Sequence, residues 1–281
     1  MKNKVIILIS FLLLNLPAVL YAGNIDVKQS VWNGHVRYDF TFDGSHATIV
    51  CPDSVISGKP WIWRPAFFGA FPSVDKALLK KGFHVVFYDM THRYGSPQAV
   101  EQGRKFYDYL LSAWHFSPKV TLEGFSRGGY YALNWAIANP DKVACLYLDN
   151  PVCDMFSWPG EKSKLWNDFL KEWGMTSVDK DNFKGNPLDN LALLASQQVP
   201  VIAVCGDSDR VVPFRDNMKL IRDRYQQLGA PVELIIKPGA DHHPHSLENP
   251  EPVVDFICRN QPDYQEKQYL NERGTLKYCF S

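Results

Sequence analysis

The chain reads as an α/β protein: a mostly parallel central sheet, helices on both of its faces, and an antiparallel hairpin at the N-terminal side. Three observations predict this. Strand-like and helix-like stretches alternate from Val74 to Cys258, the rhythm of crossover connections between parallel strands. Runs such as Phe83–Tyr88 and Val143–Leu148 are apolar almost throughout, as strands covered on both faces must be. Ahead of them Val36–Phe42 alternates polar and apolar residues, and His46–Val50 follows an Asp43-Gly44 turn, which makes a half-buried opening hairpin.

The remaining elements follow in order. Val74–Lys81 is expected to be a helix, Phe83–Tyr88 a strand, and Pro97–Trp114 a helix that starts with proline in its first turn. Lys119–Glu123 is a short buried strand and Tyr131–Ile137 a helix, with Val143–Leu148 the next strand. A strand ends at Gly206, a helix is expected over Phe214–Leu228, another strand over Val232–Ile236, and a last helix over Val253–Cys258. The rhythm breaks once. About fifty residues separate Asp149 from Val199, too many for a simple connection, and residues 151–198 are expected to form a small lid. This segment holds a Trp158-Pro159-Gly160 turn and a helix around Lys164–Trp173.

Composition bounds the function. With 281 residues, 46% of them hydrophobic, residues 23–281 can bury one sizeable core as a single domain. Lys plus Arg equals Asp plus Glu at 30 each, so the overall field offers no nucleic-acid surface. Residues 1–22 have the make-up of a signal peptide: Lys2 and Lys4, then an apolar stretch from Val5 to Leu20, then small residues at Ala22-Gly23. The apolar stretch is short for a membrane span, and no cysteine lies near it to carry a lipid. The expectation is export, to the periplasm of a two-membrane bacterium, with no membrane anchor. Of the six cysteines, Cys145 and Cys205 sit in strand-like runs and read as buried thiols, and Cys258 with Cys279 is the pair to test for a disulfide.

The chemistry centres on Leu122-Glu123-Gly124-Phe125-Ser126-Arg127-Gly128-Gly129. A serine between a strand and a helix, with glycines two residues to either side, matches a nucleophile elbow, in which a tight and strained turn exposes the hydroxyl. Such a serine needs a base, and the base needs an acid to orient it. Both are expected on later loops in the order acid, then histidine. Asp209 lies three residues past Gly206 and is the acid, while Asp207 reads as a turn residue. In Asp241-His242-His243-Pro244-His245, three imidazoles compete. His242 is taken as the base, with His243 the alternative. Imidazole and carboxylate also suit zinc, but the spacing matches no zinc motif, so neither a metal nor an organic cofactor is expected. One oxyanion donor is expected to be the backbone N–H of Arg127. The other falls to Ala66 or Phe67, because Pro65 has no N–H to give.

With these parts in place the whole chain from residue 23 resembles the α/β-hydrolases. The blocks Trp61-Ile62-Trp63-Arg64, Gly82–Val86, Tyr94-Gly95-Ser96, Ser126–Gly129, Asn150–Asp154 and His242–Leu247 resemble, more narrowly, exported bacterial carbohydrate esterases. That group includes enzymes that remove methyl esters from pectic polysaccharides such as rhamnogalacturonan II. The resemblance implies Ser126 as nucleophile, Asp209 as acid, His242 as base and a pectic oligo- or polysaccharide as substrate. Arg64-Pro65 stands where the usual His-Gly oxyanion motif would be. A uronate substrate calls for cations and sugar-stacking rings near the serine. Arg64, His92, Arg93 and Arg127, with Trp63, Tyr94 and Trp158, are the candidates. The same triad also serves an acetyl esterase or a serine peptidase, and a carbohydrate-binding relative would keep the fold without the chemistry.

Overall fold

The computed structural model describes residues 26–262 and residue 264. The signal segment 1–22 and Cys279 lie outside the described residues. The alternating stretches condense into one nine-stranded sheet. Its strands are β1 (Lys28–Trp32), β2 (His35–Phe42), β3 (Ser45–Val50), β4 (Trp61–Arg64), β5 (His84–Tyr88), β6 (Val120–Phe125), β7 (Val143–Asp149), β8 (Val201–Gly206) and β9 (Val232–Lys237). The spatial order is β1-β2-β3-β5-β4-β6-β7-β8-β9. Pairing is antiparallel as far as β3 against β5 and parallel from there to β9.

Strand β1 had no sequence expectation. It is an edge strand whose first four residues are all exposed, so burial left no alternation for a pattern to reveal. By contrast β5, β6, β7 and β8 are buried at every residue, as their unbroken apolar runs require.

Helices cover both faces. The helix α1 (Ser73–Lys80) packs on one side against β5, where its Leu78 and Leu79 belong to an apolar cluster that also holds Val85 of β5, Tyr147 of β7 and Ile202 of β8. The last helix, α7 (Glu251–Asn260), joins that cluster through Val253, Val254 and Ile257. On the other side lie α2 (Pro97–Tyr109), α3 (Arg127–Ala138), α5 (Leu191–Ser196) and α6 (Met218–Gln227). There Phe106, Trp135, Leu194 and Tyr225 pack on Trp63, Val86, Leu146 and Ala203. Neighbouring residues of a strand thus feed opposite cores, as a period of two demands. The long helix expected to Trp114 ends as an α-helix at Tyr109 and closes in a π-turn over Leu110–Trp114. Its start is capped by the Ser96 hydroxyl, which accepts from the Ala99 N–H at 3.1 Å.

Residues 151–198 contain α4 (Trp166–Glu172), inside the stretch expected to be helical, and α5, which was not expected. The segment has its own apolar cluster, in which Met155, Trp166, Phe169 and Phe183 pack against Tyr94 and Tyr130. Cys145 and Cys205 are buried free thiols, and no disulfide joins cysteines among the described residues. Among those residues no helix is long and apolar enough to cross a membrane.

Candidate active site

Every loop that builds the site leaves the C-terminal end of a parallel strand, the end where open α/β sheets hold their ligands. Strand β6 ends at Phe125 and α3 begins at Arg127, so Ser126 alone makes the turn, with φ 49° and ψ −125°. This strained conformation is held by backbone bonds: the Ser126 N–H donates to Asp149 O at 3.0 Å, and Ser126 O accepts from Val152 N at 2.9 Å. Close approach of strand and helix rests on Gly124 and Gly129. A Cβ on Gly124 would lie 2.6 Å from Gly129 Cα, and one on Gly129 would lie 2.4 Å from Pro151 Cβ. Gly128, the second glycine of the motif, instead makes room for Ala66, whose Cβ would be 3.2 Å away.

The three expected side chains meet. His242 Nε2 lies 3.0 Å from Ser126 Oγ, and His242 Nδ1 lies 2.7 Å from Asp209 Oδ2. All three residues are buried. Asp209 is itself fixed, since its Oδ1 accepts from the N–H groups of Val211 and Val212, both at 2.8 Å. The Asn150 amide holds the histidine loop, donating to His242 O at 2.9 Å while its Oδ1 accepts from Gly206 N at 2.9 Å. Asp207 lies in the turn after β8, and its carboxylate reaches the next loop rather than nearby backbone, accepting from Gly239 N at 2.7 Å. Asp241 accepts from the Arg210 backbone and guanidinium, and these bonds with that from His242 N hold its carboxyl down at about 2.

A second carboxylate–imidazole pair stands beside the first. His245 Nδ1 lies 2.6 Å from Asp149 Oδ1, and Asp149 Oδ2 accepts from Ser246 N at 2.7 Å and Tyr147 Oη at 3.1 Å. Asp149 has no exposed surface. The His245 ring stacks on Phe125 at 5.2 Å, one residue from the serine, and its centroid is 4.8 Å from that of His242. His243, the alternative base, makes no contact with Ser126 of hydrogen-bonding length; its ring stacks on Phe71 at 5.9 Å. Burial, and then the neighbouring His245 and His242, hold its pKa below the ordinary histidine value.

Ser126 opens into a cavity of about 370 Å³ lined mainly by apolar side chains. Phe67, Phe71, Arg127, Trp158, Val211 and the three histidines are among its walls. Of the expected substrate contacts, Trp158 and Arg127 reach it, 5.8 Å from each other in cation–π geometry. His92 is not among the cavity's lining residues; its Nδ1 lies 3.5 Å from Arg127 Nη1. Phe67, with φ 57°, lines the cavity, whereas Ala66 is buried behind it against Gly128.

Four expectations need correction. Trp63 has no exposed surface and packs on Phe106, Tyr131 and Trp135 in the core. Tyr94 is buried edge-on against Phe169. Arg93 is turned away, donating to Glu172 at 2.7 Å and to Gln102 at 2.6 Å. Arg64, at the end of β4, is fully buried with Asp75 and Glu123. Burial alone would lower its pKa, but those two carboxylates outweigh it and hold the guanidinium charged. It donates to Phe67 O at 3.2 Å and Ala70 O at 2.8 Å, so it shapes the loop bearing Phe67 without touching the cavity. Burial drives the Glu123 carboxyl well above the ordinary glutamate value. Phe71, Phe125 and Val211 line the cavity without having been anticipated. Their only sequence signal was their place in loops after strands or next to the serine.

Comparison with known proteins agrees with this layout. The sequence model of the prolyl oligopeptidase family matches residues 81–260. A curated relative, the acylamino-acid-releasing enzyme of Arabidopsis thaliana, is 24% identical over 168 residues, 57% of this chain and 20% of that protein. The acylaminoacyl peptidase of Pyrococcus horikoshii superposes with a TM-score of 0.59 at 17% identity, over 92% of this chain and 43% of the other. A bifunctional GH43-CE protein of Bacteroides eggerthii gives 0.60 at 19% identity, over 76% and 36%. The chain therefore spans only 20% of its curated relative and well under half of either structure. The family match covers more than half of this chain and includes the strand, turn and helix around Ser126, so the chain belongs to the prolyl oligopeptidase family.

Proposed function

We propose that the chain hydrolyses acyl compounds through an acyl-enzyme on Ser126. The observation that carries this reading is the continuous Asp209–His242–Ser126 hydrogen-bond line, 2.7 and 3.0 Å long. Ser126 Oγ attacks the substrate carbonyl carbon while His242 Nε2 takes its proton, and Asp209 steadies the imidazolium through Nδ1. The oxyanion is received by the N–H groups of Arg127 and Phe67; each such donor is worth about 10²–10³ in kcat. His242 then gives its proton to the leaving group, and water, activated by the same imidazole, frees the acid.

For the acyl group the first reading is a peptide-type substrate with a blocked N-terminus. The family and the relative named as an acylamino-acid-releasing enzyme support the peptide bond. The cavity supports the blocked end: among the described residues lining it there is no Asp or Glu to receive a free ammonium, and Arg127 suits an acceptor or an anion. This reorders the expectation from sequence, in which the pectic methyl ester came first. The ester remains the second reading, supported by Trp158 beside Arg127 as a sugar-stacking face next to a cation, and by the likeness to a GH43-CE protein.

The test uses one protein preparation and its Ser126→Ala variant. A fluorophosphonate should label the former and spare the latter. Release of p-nitroaniline from an N-acetyl-aminoacyl anilide, with no methanol from esterified pectin or rhamnogalacturonan II, is the expected result. Methanol release alone would install the ester reading, acetate alone a deacetylase. Absence of labelling would remove the serine mechanism altogether.

A further inference from the structure

We propose that His242, His243 and His245 form a binding site for one divalent transition-metal ion of the zinc class, and that its occupation silences Ser126. One ring nitrogen from each histidine lies within 4.8 Å of those of the other two. The three ring centroids are 4.8–4.9 Å apart in every pair. Around a tetrahedral zinc with bonds of about 2.1 Å, ligand nitrogens stand about 3.4 Å apart. The three must therefore draw together by at most about 1.4 Å, and the exposed His243 side chain is free to turn inward.

A second observation, chiefly the otherwise unassigned Asp149–His245 pair, fits a metal beside this convergence. Metal-ligating histidines almost always give their other ring N–H to a carboxylate, which fixes the ring and makes the ligating nitrogen more basic. Both buried imidazoles are held this way, His242 by Asp209 at 2.7 Å and His245 by Asp149 at 2.6 Å, each through Nδ1. His245 keeps Nε2 for a ligand, whereas His242 Nε2 meets Ser126 Oγ at 3.0 Å and would have to exchange that contact for the ion. The outer partners are buried carboxylates, and Asp149 Oδ2 accepts from Tyr147 and Ser246, which leaves Oδ1 to His245. Three imidazoles with an open fourth position favour zinc, copper or nickel over magnesium or calcium. On His242 the ion would take the Nε2 lone pair that otherwise receives the Ser126 proton, so a bound metal and an activated serine exclude each other.

The site rests on the imidazole geometry and stands whether or not the proposed substrate is right, so binding is read apart from activity. Zinc is titrated calorimetrically into the Ser126→Ala protein and into its combinations with His243→Ala and His245→Gln. One ion per chain is expected, with each histidine change weakening it by at least the about 10–100-fold that loss of an outer partner costs. Unchanged affinity in both combinations, or no binding, overturns the site. In the active protein, zinc and not magnesium should abolish fluorophosphonate labelling, and EDTA should restore it. Labelling that continues at saturating zinc would remove His242 from the ligand set and overturn the proposal. His243→Ala, whose side chain is exposed, keeps the test valid if His245→Gln fails to fold.

Discussion

Two carboxylate–imidazole pairs lie side by side in this protein, and only one of them faces a hydroxyl. Asp209–His242 and Asp149–His245 have nearly equal lengths, 2.7 and 2.6 Å, similar burial and the same Nδ1 connection. The difference lies at the other nitrogen. His242 Nε2 meets Ser126 Oγ, whereas the His245 ring is packed between Phe125 and Phe71. On the proposed mechanism a buried Asp–His pair is not in itself enough for catalysis. It becomes so by what its far nitrogen can reach, and the elbow decides that.

Breaking the first pair should cost the most. Ser126→Ala is expected to lower kcat on the order of 10⁶-fold, read by anilide or ester hydrolysis. Asp209→Asn, which keeps the shape but misorients the ring, should cost about 10⁴-fold in kcat while the folding midpoint moves little. The second pair should respond the other way. His245→Gln leaves Asp149 short of a buried donor and should lower stability by about 1–3 kcal/mol in urea, while fluorophosphonate still labels Ser126. Loss of labelling without loss of stability would give His245 a part in the chemistry and collapse the contrast.

The buried Arg64 assembly sharpens it further, because it supports the same cavity without an imidazole. Arg64→Met leaves Asp75 without its buried cation and should destabilise by about 3–5 kcal/mol, with a rise in KM as the Phe67–Ala70 loop loosens. The smallest effect concerns pH. Glu123 titrates above its ordinary value of 4.5 when folded, so its neutral form supports the fold. That support is complete below the unfolded pKa and fades as pH rises through the raised native one. Glu123→Gln should thus flatten the decline in denaturation midpoint on the alkaline side of pH 4.5.

The triad was legible because its chemistry dictates residue types at strand ends, and strand ends can be found from apolar runs. Ser126 has Gly124 before it, Asp209 follows a strand closing at Gly206, and His242 follows β9. The wall of the cavity was harder to read. Arg64 looks like a loop cation until Asp75 and Glu123, 11 and 59 positions away in sequence, take its charge inside. Trp63 and Tyr94 were aromatic residues near strand ends, and only the packing of α2, α3 and α4 over them shows them to be core. Burial of this kind depends on partners remote in sequence, which local patterns do not carry. The edge strand β1 escaped for the opposite reason, as it buries too little to leave a pattern.

Asp149 has a consequence for how the molecule breathes. Its backbone oxygen holds the Ser126 amide, its carboxylate holds the histidine loop, and neither is open to solvent. The amide proton of the serine should then exchange with deuterium only when β6 and β7 part, an event close to global unfolding. The proposed nucleophile would carry one of the slowest clocks in the molecule.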